Sequence, residues 1–163
     1  MSKPSSLCFQ LSQLLLTKDW MLCTAESCTG GLISAACTEL AGSSVWFERG
    51  FVTYSNAAKT ELLRVPETLI AAHGAVSEPV ALAMASGAIA HSRAQVAVAV
   101  TGVAGPGGGT PAKPVGTVWL AWSVDGQLSA QCCHFEGDRN QVRQATVVHA
   151  LQGLISRISN TYG

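Results

Sequence analysis

The spacing of apolar side chains along the chain predicts where its helices lie. Near the N-terminus, leucines recur three and four residues apart, which is typical of an amphipathic helix. Later helices are indicated by apolar stretches that follow a polar N-cap candidate, namely Asn56, Ser77 or Asp138. The predicted helices cover residues 5–17, 30–40, 56–65, 77–91, and 138 onward with one apolar stripe.

Short apolar or β-branched runs between these helices predict strands. The runs at 21–27, 45–55 and 95–101 have the length of strands, and the last of them lacks polar alternation, so both its faces should be covered. A hairpin is predicted to turn at Asp125-Gly126, and the segment between Pro66 and Ser77 is interpreted as a loop. Helices that alternate with buried strands predict one three-layer α/β/α domain over residues 1–163, with a mixed, mostly parallel sheet.

Composition narrows the class of protein. Hydrophobic residues make up 48% of the 163 residues and charged residues 12%, which indicates a densely buried domain. Ten basic and ten acidic residues balance, so nucleic acid is not expected as a partner. No apolar run approaches the roughly 18 residues of a membrane span, and no signal peptide is apparent, so a cytoplasmic protein is expected. Its six cysteines are interpreted as reduced thiols, since no zinc-type spacing is present.

The first candidate for chemistry is the stretch "TAESCTGG", in which Ser27 and Cys28 are adjacent possible nucleophiles. Ser27 falls where a strand gives way to a helix that opens with Thr29, Gly30 and Gly31. Free N–H groups at such a helix start can stabilise an oxyanion. Alternatively, Ser27 or Thr29 is only an N-cap. No histidine is tied to Cys28 by pattern, which favours packing over reactivity for that thiol.

The base that would activate Ser27 is sought in the stretch "TYSNAAK", because no histidine pattern supplies one. Lys59 lies in the first turn of a predicted helix, where the helix dipole and burial both favour the neutral amine. Tyr54 could orient this amine or relay its proton. The residues alone also allow the alternative that Lys59 is an exposed lysine and that Tyr54 has no catalytic function.

Two further elements could hold an anion. The loop "TGVAGPGGGTPAKPVG" is neither a Walker A motif nor a dinucleotide fingerprint, but a glycine-rich loop can form a nest of N–H groups, here with Lys113 nearby. In "GDRNQVRQ", Arg139 and Arg143 are four residues apart in the first turns of the last helix. They repel each other there, unless an anion or a carboxylate lies against them. The alternative is two solvated arginines, or one arginine paired with a glutamate.

These stretches together resemble a known family. "TAESCTGGLISAACTELAGSS", "FERGFVTYSNAAK", "HGAVSEPVALAMA", "TGVAGPGGGTPAKPVGTVWLA" and "GDRNQVRQAT" closely resemble the C-terminal domain of the competence/damage-inducible protein CinA, in the same order over about residues 20–155. Many family members carry a larger N-terminal domain, and this sequence is similar to the form without it.

The resemblance implies a nicotinamide-nucleotide amidase. Such an enzyme hydrolyses the carboxamide of nicotinamide mononucleotide to nicotinic acid mononucleotide and ammonia, with a serine–lysine arrangement and with no metal or other cofactor. It implies Ser27 as nucleophile, Lys59 as base and Tyr54 as its assistant. The resemblance also implies that Thr101, Gly102, Gly105, Arg139 and Arg143 bind substrate. Thr29, Gly30 and Gly31 are added as substrate-binding residues because they form the helix start that follows Ser27.

Two other functions remain open on the sequence, namely an amidase for a different small amide and a non-catalytic regulatory module. The small residues around Gly87 indicate a helix packed closely in the core or at a subunit interface. A homo-oligomer, dimeric or larger, is expected.

Overall fold

The structure is a computed structural model, and it describes residues 2–161. These residues form one domain with five strands, six α-helices and a short 3-10 helix at Ser43–Val45. The helices are α1 (Pro4–Lys18), α2 (Leu32–Thr38), α3 (Asn56–Leu63), α4 (Glu67–His73), α5 (Glu78–Ala90) and α6 (Arg139–Ser159). The strands are β1 (Leu22–Glu26), β2 (Phe47–Val52), β3 (Val96–Gly102), β4 (Thr117–Val124) and β5 (Gln127–His134).

The strands form a single mixed sheet in the order β2-β1-β3-β4-β5. β1 pairs in parallel with both β2 and β3, whereas β4 is antiparallel to β3 and to β5. Val124 pairs with Gln127 across the predicted turn at Asp125-Gly126, so the hairpin is confirmed. The predicted three-layer domain with a mixed sheet is confirmed as well.

Each face of the sheet is covered by its own helices, because side chains alternate along every strand. In β3, Val96, Val98 and Val100 point to the cluster that includes α1, α2 and α6. Ala97 and Ala99 point to the opposite cluster, which includes α3, α4 and α5. The small alanine side chains allow α5 to lie close to the sheet.

A glycine in α5 explains the run of small residues noted in the sequence. Gly87 is buried, and a side chain there would collide with the backbone carbonyl of Leu63 at the end of α3. The close packing is therefore a contact between two helices inside the domain. It does not bear on the predicted oligomer.

The chain order creates a crevice at the carboxyl ends of β1 and β3. After β1 the chain crosses one face through α2 to reach β2, and after β2 it crosses the other face through α3, α4 and α5 to reach β3. In open α/β sheets, ligands bind where successive connections leave to opposite faces in this way. Ser27 directly follows β1 at this point.

Several predicted boundaries differ from the structure. The segment interpreted as a loop contains α4, because the seven residues Glu67–His73 are too few to show helical periodicity. The predicted cap of α3 was wrong by one residue, since the Ser55 side chain accepts from the Ala58 N–H and Asn56 is already helical. The predicted cap at Asp138 is confirmed, with Gln141 completing a capping box. The helix predicted over 30–40 begins only at Leu32.

Candidate active site

Ser27 lies in a cavity of about 310 Å³ at the carboxyl ends of β1, β2 and β3. Ser27 forms part of one wall of this cavity, together with Tyr54 and Lys59. The cavity is lined by Ser27, Cys28, Tyr54, Asn56, Lys59, Ala75, Val76, Thr101, Gly102, Val103, Ala104, Gly105, Gly107, Gly108 and Arg139. The three residues predicted to be catalytic are therefore brought together, although Lys59 is 32 positions beyond Ser27.

The Lys59 amine is in hydrogen-bond contact with the Ser27 hydroxyl. Lys59 Nζ lies 3.0 Å from Ser27 Oγ, and the two side chains are almost fully buried, with 1% and 7% exposed. The amine also donates to the backbone carbonyls of Thr53 at 2.9 Å and Tyr54 at 3.2 Å. The Ser27 hydroxyl lies 3.4 Å from the Tyr54 carbonyl, to which it can donate.

Burial disfavours the charged form of this amine. Desolvation lowers the pKa of Lys59 below its ordinary value of 10.5, and the nearby Cys28 thiol opposes the shift. A neutral amine has two N–H groups and one lone pair. The carbonyls of Thr53 and Tyr54 can accept the two N–H groups, which leaves the lone pair for the Ser27 proton. The geometry thus suits a serine nucleophile with a lysine base.

Cys28 has the surroundings of a packing residue. Its side chain is 5% exposed and belongs to the cluster beneath α2 and α6. Burial raises the pKa of the Cys28 thiol to about 11, so the thiolate is scarce at neutral pH.

Several N–H groups at the helix start after Ser27 already have acceptors within the protein. Glu26 at the end of β1 accepts from the Ile33 and Ser34 N–H groups, both at 2.9 Å. The Gly30 N–H donates to the Ser27 carbonyl at 3.1 Å, and Thr29 is buried with its hydroxyl on Glu26.

Thr29, Gly30 and Gly31 were all predicted to bind substrate. None of these three residues lines the cavity in the structure. A carboxylate from the preceding strand thus accepts from the first turn of α2, at Ile33 and Ser34.

The two arginines of α6 have different surroundings. Arg139 lines the cavity, is exposed, and donates through Nη1 to the Gly105 carbonyl at 2.8 Å. Arg143 does not line the cavity. Its Nε donates to the Cys28 carbonyl at 3.1 Å and its Nη2 to the Thr29 carbonyl at 3.2 Å. Backbone carbonyls rather than a carboxylate therefore lie against Arg143.

Tyr54 contacts Lys59 through its backbone and Arg139 through its side chain. It is 63% exposed, and its hydroxyl lies 3.5 Å from Arg139 Nη2, whereas its backbone carbonyl accepts from the Lys59 amine. The contact with the amine therefore comes from a backbone group, which any residue at position 54 supplies. The sequence offered no signal for that.

The glycine-rich loop forms the opposite wall. Thr101, Gly102 and Gly105, which were predicted to bind substrate, line the cavity, and the Thr101 hydroxyl donates to the Ala75 carbonyl at 3.0 Å. Lys113 does not line it, because its amine donates to the His73 carbonyl at 2.7 Å.

Sequence reasoning did not assign the segment at Ala75 and Val76, which completes this wall, or Asn56 to the site. Ala75 and Val76 lie within the stretch "HGAVSEPVALAMA", which carried part of the family resemblance but was given no role at the site.

Neither a metal-binding cluster nor a membrane-spanning helix is present in residues 2–161. They contain no group of three or more histidine, cysteine, aspartate or glutamate side chains arranged to hold a metal ion. Among these residues, no helix has both the length and the apolar character needed to cross a bilayer.

Fold and site together define an α/β domain with a buried serine–lysine pair at the carboxyl edge of its sheet. Comparison with known proteins then identifies the family. The chain belongs to the CinA C-terminal domain family, whose sequence model matches residues 5–158.

Individual relatives are similar over nearly the whole chain. The nicotinamide-nucleotide amidohydrolase PncC of Pseudomonas putida is 54% identical over 151 residues, which cover 93% of this chain and 94% of the relative. The protein of the same name from Escherichia coli (strain K12) is 50% identical over 148 residues, covering 89% and 88%. The crystal structure of the competence damage-inducible protein A (ComA) from Klebsiella pneumoniae superposes with a TM-score of 0.95 at 37% identity, covering 99% of this chain and all of that one.

Proposed function

We propose that this protein is a nicotinamide-nucleotide amidase that hydrolyses the carboxamide of nicotinamide mononucleotide. The observation that carries the proposal is the buried contact of 3.0 Å between Lys59 Nζ and Ser27 Oγ. It is supported by the names of the relatives that are 50% and 54% identical over most of their length. A cavity that joins this pair to an arginine and a glycine-rich loop suits a substrate with one amide and one phosphate.

In the proposed first half-reaction, Ser27 Oγ attacks the carboxamide carbon and Lys59 takes the hydroxyl proton. The tetrahedral intermediate collapses as the C–N bond breaks, and the Lys59 ammonium gives its proton to the leaving amide nitrogen, which departs as ammonia. In the second half-reaction, Lys59 takes a proton from water, which attacks the acyl-serine ester. Ser27 leaves as the alkoxide and recovers the proton from Lys59, and nicotinic acid mononucleotide is released.

The oxyanion is assigned to a different donor from the one the sequence suggested. Thr29, Gly30 and Gly31 do not line the cavity, and the Gly30 N–H already donates to Ser27. Cys28 directly follows the nucleophile and does line the cavity. We assign its backbone N–H as an oxyanion donor, which requires no reaction at its thiol.

The substrate phosphate is assigned to Arg139 and the glycine-rich loop. Arg139 is exposed at the cavity, and its Nη1 donates to the Gly105 carbonyl. The other N–H groups of its guanidinium can therefore donate to a bound phosphate. Gly105 and Gly108 both adopt positive φ angles of 86° and 88°, a conformation in which backbone N–H groups can converge on an anion. Arg143 is not assigned to the phosphate.

Other expectations stay predictions, namely a cytoplasmic location, no nucleic-acid or membrane partner, and a homo-oligomer.

The test is ammonia release from nicotinamide mononucleotide and, in parallel, from free nicotinamide. Wild-type protein should release ammonia from the nucleotide, and Ser27→Ala should not. Equal use of the free base would instead indicate an amidase for a different small amide, because the phosphate site would then contribute nothing. Equal ammonia release by wild type and Ser27→Ala would contradict the proposal and favour the regulatory module.

A further inference from the structure

Glu26 is a buried carboxylate directly before the nucleophile, and the proposed reaction gives it no role. Its side chain is fully buried, and no ion pair involving it is found among residues 2–161. Oε1 accepts from the Thr29 hydroxyl at 2.6 Å and the Ile33 N–H at 2.9 Å. Oε2 accepts from the Ser34 N–H at 2.9 Å and the Ser34 hydroxyl at 2.7 Å.

Three of these hydrogen bonds connect the end of β1 to Ile33 and Ser34 in the first turn of α2, and the fourth holds Thr29 in the turn between them. Gly31 at the N-cap of α2 has no side chain to accept from the helix, so Glu26 takes that place. The backbone of the same strand end is also held, because the Thr53 N–H donates to the Glu26 carbonyl at 2.8 Å and the Ser27 N–H to the Val100 carbonyl at 3.1 Å. Ser27 therefore sits in a turn that is fixed at both ends.

Only a group that accepts at both oxygens satisfies all four donors. An amide at this position would present its NH2 group to one pair of donors. Each pair contains a backbone N–H, of Ile33 or of Ser34, that cannot turn away. The Ser34 hydroxyl is further oriented by Thr24, whose hydroxyl lies 2.8 Å away, so the buried network leaves little freedom to rearrange.

We infer that Glu26 is a positioning residue that holds Ser27 at the distance from Lys59 required for proton transfer. Glu26 does not line the cavity, so it acts on the chemical step rather than on substrate binding. A displacement of about 1 Å at a reacting group can lower a rate by about 100-fold. The inference rests on the proposed function for its catalytic meaning, whereas the constraint on residues 27–34 is a property of the fold.

The experiment compares wild type with Glu26→Gln, which keeps the size of the side chain and removes one pair of acceptors. Glu39→Gln is the matched control, since it makes the same change at the exposed C-terminal end of the same helix. Steady-state kinetics with nicotinamide mononucleotide are measured at a temperature at which every variant is folded. Hydrogen–deuterium exchange of residues 27–34 is measured on the same samples.

The expected result is a fall in kcat of about tenfold or more in Glu26→Gln, with KM within about twofold and faster exchange confined to residues 27–34. Glu39→Gln should match wild type in each measurement. A kcat within about twofold of wild type in folded Glu26→Gln would overturn the inference.

If Glu26→Gln does not fold, Thr29→Val tests the inference instead. It removes the hydrogen bond from the Thr29 hydroxyl to Glu26 and keeps the shape of the side chain. A fall in kcat of about threefold or more supports positioning, and an unchanged kcat rejects it. If wild type releases no ammonia from the nucleotide, the proposed function has failed on its own. Hydrogen–deuterium exchange then tests the role of Glu26 separately. Faster exchange of residues 27–34 in Glu26→Gln would support the inference that Glu26 holds this segment, and unchanged exchange would reject it.

Discussion

The two walls of the cavity are built in opposite ways. The nucleophile loop, residues 27–31, is held from inside by the Glu26 carboxylate and from outside by Arg143, which donates to two of its carbonyls. In the glycine-rich loop, residues 103–116, every residue from 106 to 112 is exposed. Side-chain contacts reach it near its two ends, from Arg139 to the Gly105 carbonyl and from Lys113 to His73.

The difference separates two requirements of catalysis. Proton transfer between Ser27 and Lys59 needs fixed geometry, because the reaction rate depends steeply on distance. Binding of a phosphate can be done by a loop that adjusts, since a charge-assisted contact tolerates some movement. Changes to the first wall should therefore lower kcat, and changes to the second should raise KM.

The largest effect is expected from removing either member of the catalytic pair. Ser27→Ala and Lys59→Met should each lower kcat by about 10³-fold or more, since the first removes the attacking oxygen and the second its base. The double variant should be no worse than the worse single variant, because both residues serve one step. Ammonia release at saturating nicotinamide mononucleotide measures kcat for the single and double variants. A Lys59→Met protein that keeps more than about a tenth of wild-type kcat would rule out Lys59 as the base.

The two arginines provide the sharpest comparison of the walls. Arg139→Ala should raise KM for nicotinamide mononucleotide about 10- to 100-fold with little change in kcat, because a charged hydrogen-bond partner of the phosphate is lost. Arg143→Ala should instead lower kcat about tenfold with KM nearly unchanged, because the carbonyls of Cys28 and Thr29 lose their donor.

Free nicotinamide serves as the control substrate for this pair. It has no phosphate, so Arg139→Ala should not weaken its use further. The comparison of the walls fails if both arginine variants change the same kinetic constant.

The pH dependence should report the buried amine. Lys59 must be neutral to take a proton, so kcat/KM should fall about tenfold per pH unit below the Lys59 pKa, with a midpoint below 10.5. Stability should follow the same group. Because the Lys59 pKa is lower in the folded protein than in the unfolded chain, the folded state binds fewer protons between the two values. The free energy of unfolding should therefore rise with pH in that window.

Denaturant titrations at several pH values, together with kinetics, check this prediction. The matched comparison is Lys59→Met, which should lose that part of the stability slope. An acid limb of kcat/KM with its midpoint at or above 10.5 would contradict the assignment.

The smallest effect is expected at the neighbour of the nucleophile. Cys28→Ala should leave kcat/KM within about threefold of wild type, because the buried thiol takes no part in the proposed reaction. Its free energy of unfolding should fall by about 1 kcal/mol, the scale for a small deletion in a packed core. Kinetics and denaturant titration of the same sample measure both quantities, and a loss of activity as large as that of Ser27→Ala would reverse the roles of the two residues.

Much of the fold could be predicted because it is encoded locally. Apolar spacing, small residues and N-cap candidates located five of the six helices in the described residues, and the Asp125-Gly126 turn located the hairpin. The helix α4 was missed because seven residues span only two turns. The pair of Ser27 and Lys59 was reached through the family resemblance, since no local pattern shows that β1 and α3 meet.

The contacts at the site that the sequence did not reveal have one physical cause. From sequence, the helix start at Gly30 and Gly31 and the cation Arg143 were taken as groups in need of an anion. In the fold, the Glu26 carboxylate accepts from the first turn of that helix at Ile33 and Ser34, and the carbonyls of Cys28 and Thr29 accept from Arg143. Hydrogen-bond partners of this kind depend on tertiary structure, so residue type and spacing do not reveal them.

The most direct test of the serine–lysine account is to identify the residue that carries the acyl group during turnover. Wild-type protein is mixed with nicotinamide mononucleotide, quenched in acid within the first turnovers, digested and examined by peptide mass spectrometry. The account predicts an adduct on Ser27 with the mass of the substrate less ammonia, and none in Ser27→Ala. An adduct on Cys28, or full activity with no adduct on Ser27, would contradict it.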